Sequence, residues 1–458
     1  MHSFSRSAAR KRVAATIAAI GLAALALAGC SSGGASGTTA GSATKGNLTW
    51  WGWTPQPNNA TAYIAAFNKK YPDIKVTYKQ VTIDSWNAAL RPALASSTGP
   101  DLYGISPGPK MDLFSGFAAD LKPAFTKALG SKKVSQVGIN GLTTKAGKLA
   151  AVSAGSTFAG TIWINQDLFS KYGVTPPKTL SQWEDACATF KKNGVTCFVQ
   201  GAEQTAFNQD TLQSISDSVK PGVWTKASKG EVHWTDPTIV KAFTIWKKLF
   251  SDGIMQPGAL GVMQYPDASN AFLSGKAAMV MMGSWYMQYG TTAGMTPAIS
   301  AAGVADPKPF PIVPIPFPDV AGNGNPSALY GDSDWGLAVN NKSKQKAAAE
   351  TFATWLGTST VGQQTIANGL NDIPALNGVS PAWDAIQMPD KSTQQPAIQD
   401  LIKRTASTSE PRLALLSANL QQAIGVATTR VAAGQATPEQ ALQTLQTAAA
   451  AAGEKFKN

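Results

Sequence analysis

Histidine is nearly missing from this chain: only His2 and His233 occur. A zinc site of the His-Glu-x-x-His kind needs two imidazoles one helical turn apart, so that chemistry is excluded. Charged residues are sparse, at 14% of the whole. The basic surplus (39 Lys and Arg against 27 Asp and Glu) is scattered in pairs such as Lys69-Lys70, Lys132-Lys133 and Lys247-Lys248, with no basic run. Without a run, and without zinc-finger or RNP spacing, nucleic acid is not an expected partner. The apolar run Val13 to Leu27 has fifteen residues, short of the about 20 that a bilayer-spanning helix needs.

That short run has a meaning of its own. Arg6, Arg10, Lys11 and Arg12 precede it and small residues follow, which is the make-up of a secretory signal peptide, residues 1–29. Leu27-Ala28-Gly29-Cys30 resembles the lipobox of bacterial lipoproteins, and the resemblance implies that Cys30 carries the lipid. Residues 30–46, rich in Ser, Gly, Ala and Thr, read as a tether unable to bury enough apolar surface to fold. The expected place of work is outside the cytoplasm, held to the membrane by the lipid alone.

About 430 residues remain after the leader, too many for one core, so two domains are expected. Cys187 and Cys197 form an even pair in an oxidising compartment and read as a disulfide. Ser181-Gln182-Trp183-Glu184 looks like a capping box opening a helix, and Val195 to Gln200 like a strand. A bridge between them would stabilise by ~2.8 kcal/mol on the chain-entropy estimate.

Strand-like and helix-like segments alternate, predicting an α/β fold. Asn47 to Trp53 reads as a strand, Ala60 to Tyr71 as a helix, and alternating Ile74, Val76 and Tyr78 as a second strand. Trp86 to Ala95 follows as a helix and Asp101 to Ile105 as a third strand. Later helices have readable starts at Asp236-Pro237, near Ser343, and at Thr437-Pro438-Glu439-Gln440. The proline- and glycine-rich stretch 306–326 reads as an extended crossover rather than a core element.

Catalytic patterns fail on chemistry. Gly104-Ile105-Ser106-Pro107-Gly108 has the form of a nucleophile elbow. The oxyanion hole, however, needs the N–H of the residue after Ser, and Pro107 has none. Gly141 to Lys148 is one residue too long for a phosphate loop and is followed by Leu149. A glycosidase needs only two carboxylates, and no local pattern argues for one. No catalytic residue, cofactor or metal is expected.

Tryptophan, by contrast, is plentiful at 13 residues. Trp51 and Trp53 end the first strand. Trp285 and Tyr286 follow Gly283-Ser284, and Tyr330 and Trp335 flank Asp332-Ser333-Asp334. Exposed rings beside carboxylates suit carbohydrate: a pyranose face stacks on an indole while its hydroxyls donate to acid oxygens. Covering ~50 Å² of ring contributes roughly 1.2 kcal/mol, and a hydrogen bond to a carboxylate ~1.5–3 kcal/mol. Two stacks and three such bonds reach about 7–11 kcal/mol before ordering costs, against about 8 for micromolar binding.

Several ordered segments carry a further likeness. They are Leu48-Thr49-Trp50-Trp51-Gly52-Trp53, Phe67-Asn68-Lys69-Lys70-Tyr71-Pro72, Gly99-Pro100-Asp101-Leu102 and Gly147-Lys148-Leu149-Ala150. Ile162 to Phe169, Pro176-Pro177-Lys178-Thr179, and Phe272 to Met279 ahead of Gly283-Ser284-Trp285 complete the set. Together the chain resembles the extracellular solute-binding proteins of ABC importers, in the sugar-binding group that includes maltose-binding protein. The resemblance implies a type II periplasmic-binding-protein fold, with two α/β lobes, three hinge crossings and the ligand in the cleft between lobes. Carried over, the crossings fall near 155–158, 330–334 and 370–374. The first lobe would be 47–155 plus 334–371 and the second 156–333 plus 372–458.

Positions matching ligand-contact loops are Trp51, Trp53, Asp101, Ser106, Trp285, Tyr286, Tyr330, Asp332, Asp334, Trp335 and Asn371. Trp53, Trp285 and Trp335 are expected to stack, and Asp101 and Asp334 to accept hydroxyl bonds. Ile164 and Ile105 stand where relatives often have aromatics, so the resemblance implies no stacking at these two positions. The expected protein is a monomeric, non-enzymatic receptor that delivers a sugar or oligosaccharide to ABC permease subunits. The alternatives are the same fold holding a polyamine or glycerol phosphate, or an exported glycosidase.

Overall fold

The computed structural model describes residues 40–325, 327–453 and 455–456. The signal peptide and Cys30 lie outside the described residues. The strands, in chain order, are β1 (Gly46–Gly52), β2 (Ile74–Gln80), β3 (Leu102–Ile105), β4 (Val152–Ser153), β5 (Gly155–Ala159) and β6 (Thr161–Asn165). They continue with β7 (Thr196–Val199), β8 (Ala277–Met281), β9 (Ile312–Pro316), β10 (Tyr330–Ser333), β11 (Gly336–Val339) and β12 (Ile373–Pro374).

Two sheets each organise an α/β half. The first has the order β2-β1-β3-β11-β4 and the second β7-β8-β6-β9. In the first, β1 runs parallel to β2 and β3, so their C-terminal ends share one rim, while β11 is antiparallel to β3. Its core gathers Trp50, Tyr63, Phe67, Trp86, Trp335 and Phe352. The second half packs Trp183, Phe198 and Trp246 on one side of its sheet, with Trp163, Phe272 and Tyr286 on the other.

A third, three-stranded sheet of order β10-β5-β12 lies between these halves. It is built from the segments read as crossings: Asp332 pairs with Thr157, and Ile373 with Ser156. Three passes of the chain are therefore hydrogen-bonded side by side.

Local signals explain most elements. Asp236 accepts from the Thr238 N–H ahead of Pro237, and Thr437 and Gln440 complete a capping box. Cys187 and Cys197 are joined, tying helix Leu180–Lys192 to β7. Three readings change. The cap of that helix is Thr179, whose hydroxyl accepts from Gln182 N–H, rather than Ser181. The stretch read as a crossover contributes β9, an edge strand with Ile312 and Ile315 buried; an edge position tolerates Pro314 because its missing N–H is not needed by a further neighbour. The last residues read as tether are docked on the body: Gly41 N–H donates to Lys344 C=O, and Thr351 hydroxyl to Ala43 C=O.

Candidate functional site

The chain leaves β1 at Gly52, and Trp53 turns over the end of the neighbouring strand. Its ring packs edge-on against Trp86, with centroids 5.1 Å apart. It also lies across Gly104, where an added Cβ would stand 3.2 Å from a ring carbon. A larger residue at 104 would push the indole away. The short helix Pro109–Phe114 then sets the Lys110 ammonium 4.9 Å from the Trp53 ring centroid.

The second half repeats the arrangement. After β8, Gly283 has no room for a Cβ, which would meet the Trp285 ring at 2.1 Å. Trp285 Nε1–H donates to Tyr265 Oη at 3.1 Å. The Arg412 guanidinium lies over the Trp285 ring, 4.4 Å from its centroid. Arg412 is fixed from behind: Nε and NH2 donate to the two oxygens of buried Asp210 at 2.8 and 2.7 Å. Such a fork is the strong form of the ion pair.

Asp334, between β10 and β11, supplies acid. Thr157 hydroxyl donates to it at 3.0 Å. Burial pushes its carboxyl up, opposed by Arg412, Thr157 and Lys110. Asp372 behind it is pushed well up by burial and by Asp334. Burial, aided by Arg412 and opposed by Asp334, lowers the Lys110 ammonium to about 8. Lys110 and Arg412, each over an indole, thus both act on the Asp334 carboxylate.

The halves also touch directly. Gly108, at φ +69°, passes so near Leu413 that a Cβ there would lie 2.1 Å from the Leu413 carbonyl oxygen. Ala418 N–H donates to Asp112 at 3.3 Å, and Asn59 Nδ2 to Gln288 Oε1 at 3.3 Å.

Of the residues read from sequence, Trp53, Trp285 and Asp334 share Lys110 and Arg412 as neighbours. Trp51 faces β2, where Lys79 sits 4.2 Å over its ring. Asp101 is at the other end of β3 from Trp53, and accepts from Thr49 N–H, Thr49 hydroxyl and Ser343 hydroxyl at 2.9, 3.0 and 2.6 Å. Ser106 is buried at the end of β3. Tyr286 and Tyr330 are fully buried, bonded to Ser269 and Ser214 at 3.1 and 2.9 Å. Asp332 accepts from three successive backbone N–H groups, Arg412, Leu413 and Ala414, at 3.0, 2.5 and 3.0 Å. Trp335 is stacked on Trp50 and donates Nε1–H to Asp372 at 3.0 Å, while Asn371 donates to Asp372 at 2.5 Å. These last residues brace the site from behind.

Lys110 and Arg412 were not foreseen. One signal was available: beyond the leader the arginines are only Arg91, Arg404, Arg412 and Arg430, and Arg412 alone follows a Glu-Pro loop signal. Among the described residues, no group of three or more His, Cys, Asp or Glu could hold a metal ion.

Known proteins are similar. An uncharacterised ABC transporter extracellular-binding protein of Pyrococcus horikoshii is 24% identical, over 56% of this chain and 59% of its own length. A galactooligosaccharide-binding protein of Bacillus subtilis is 22% identical over 61% of each. The chain therefore spans about three-fifths of these curated relatives. A solved structure from a study of xylan utilisation by Caldanaerobius polysaccharolyticus superposes with TM-score 0.70 at 23% identity, covering 88% of this chain and 99% of that one. It shares the two-lobe α/β fold. The sequence pattern of bacterial extracellular solute-binding proteins matches residues 51–363, and the chain belongs to that family.

Proposed function

We propose that this protein captures an extracellular sugar or oligosaccharide by closing two lobes on it, and hands it to the permease subunits of an ABC importer. One observation carries the reading: each half presents an indole beneath a cation, Trp53 under Lys110 and Trp285 under Arg412, and both cations act on the carboxylate of Asp334. Stacking and hydroxyl acceptance need nothing else. The lobes would be 47–155 plus 334–371 and 156–333 plus 372–458, turning on the sheet β10-β5-β12. Cleavage before Cys30, lipidation of that residue and an extracytoplasmic, membrane-tethered monomer complete the proposal. The protein is read as a receptor without a catalytic step, in keeping with a family of binding proteins. The names of its relatives point to saccharide cargo. A polyamine is disfavoured, because Lys110 and Arg412 would repel it.

Calorimetric and tryptophan-fluorescence titration of the purified chain with mono- and oligosaccharides tests the reading. A saturable quench that disappears in a Trp53→Ala, Trp285→Ala double variant is expected. Silence across a broad panel would remove the saccharide assignment, and turnover of a chromogenic glycoside would replace it with an enzymatic one.

A further inference from the structure

Two acids that the saccharide site does not use converge on one glycine. Asp217 belongs to helix Thr205–Val219, and Glu410 to the loop that carries Arg412. Gly222 N–H donates to Asp217 Oδ1 at 3.2 Å, and a Cβ at 222 would lie 3.4 Å from Glu410 Oε1. The other Glu410 oxygen accepts from Thr225 hydroxyl at 2.6 Å. Among the described residues neither acid makes an ion pair, and no hydrogen bond joins the two. Burial and Glu410 push the Asp217 carboxyl up to about 8, and Gly222 N–H alone opposes them.

Beside this pair are acceptors without donors. Asp217 Oδ2 and Gln213 Oε1 are buried and have no hydrogen-bond partner, and neither residue is more than 1% exposed. Gln213 precedes Asp217 by one helical turn, so the two side chains share a face. Its Nε2 donates to Pro411 C=O at 3.5 Å, which sets the amide beside the Glu410–Pro411 peptide. An unpartnered interior acceptor costs stability, and two neighbouring acids without a cation repel. One positive ion relieves both costs, whereas a water relieves only the first. With two acids and one amide the donors differ from a three-acid cluster, but all are oxygen, the hard set that calcium takes. Glu410 is only half-buried, so solvent can complete the shell.

We propose that Asp217, Glu410 and Gln213 bind a calcium ion that fixes the 406–417 loop. The same loop bonds β10, where Glu410 C=O accepts from Gly331 N–H at 2.8 Å, and two residues later it presents Arg412 over Trp285. The ion's role is positioning, and it does not depend on what the cleft holds.

The test adds calcium chloride to the purified chain after treatment with EDTA. Calorimetry should show a saturable site that prefers calcium to magnesium at least tenfold, and Tm should rise with calcium and fall back on chelation. Asp217→Asn and Glu410→Gln should each weaken calcium at least tenfold, while Asp306→Asn, an exposed acid on another loop, should not. In the wild type, calcium should slow amide exchange most in 210–225 and 406–417, which locates the ion even if a variant fails to fold. No heat and no Tm shift in millimolar calcium would overturn the inference. So would unchanged affinity in both ligand variants, or protection confined to other segments. Equal affinity for magnesium would overturn the choice of ion.

Discussion

The two tryptophan–cation pairs are alike in geometry and opposite in support. Each indole lies over a glycine, Gly104 or Gly283, and each carries a cation 4–5 Å from its ring centroid. Arg412 is locked by a two-point bond to Asp210. Lys110 has no such anchor and projects from a six-residue helix. One half thus presents a rigid plate and the other an adjustable one. A cleft built this way can fix one end of a ligand and adapt to the other.

Breaking the anchor should have the largest effect. Asp210→Ala leaves Arg412 buried and unpaired and should cost about 3–5 kcal/mol of stability, read by urea denaturation; Lys110→Met, which breaks no bonded pair and relieves a desolvated ammonium, should not destabilise. Equal losses would show that the pairs are not different in kind. Next come the plates. Trp53→Ala and Trp285→Ala should each weaken saccharide binding about tenfold, from ~1.2 kcal/mol of lost stacking, whereas Trp51→Ala should leave affinity within about twofold. Asp101→Asn should cost roughly 1–2 kcal/mol of stability through its lost hydrogen bonds and leave affinity unchanged in calorimetry.

A further contrast is in pH. A lysine lowered to about 8 in the folded protein binds fewer protons there than in the unfolded chain between pH 8 and about 10.4. Wild-type stability should therefore rise with pH, relative to Lys110→Met, across that window. A flat difference between the two denaturation curves would show that Lys110 is not desolvated.

What could be read beforehand was local. Helix caps at Asp236 and Thr437, the strand alternation around Ile74, and the Cys187–Cys197 pair depend on neighbours a few residues away. Strand-end tryptophans were legible as a class, but their fates were not. Trp51 and Trp53 differ because Trp51 is still inside β1 beside Lys79, while Trp53 lies beyond its end. Asp101 misled because it precedes β3, and strand direction puts that end away from the rim. Tyr286, Tyr330 and Trp335 lie in segments that look exposed, yet the second core covers Tyr286, the crossings hold Tyr330 and the first core takes Trp335. Lys110 and Arg412 escaped because each acts over an indole distant in sequence, and no local pattern marks either.

The grip of Arg412, Leu413 and Ala414 on Asp332 has a mechanical consequence. The guanidinium at the mouth and the β10 strand at the pivot share one stretch of backbone. Any displacement of the Arg412 segment must therefore be passed to β10 through the same three amides.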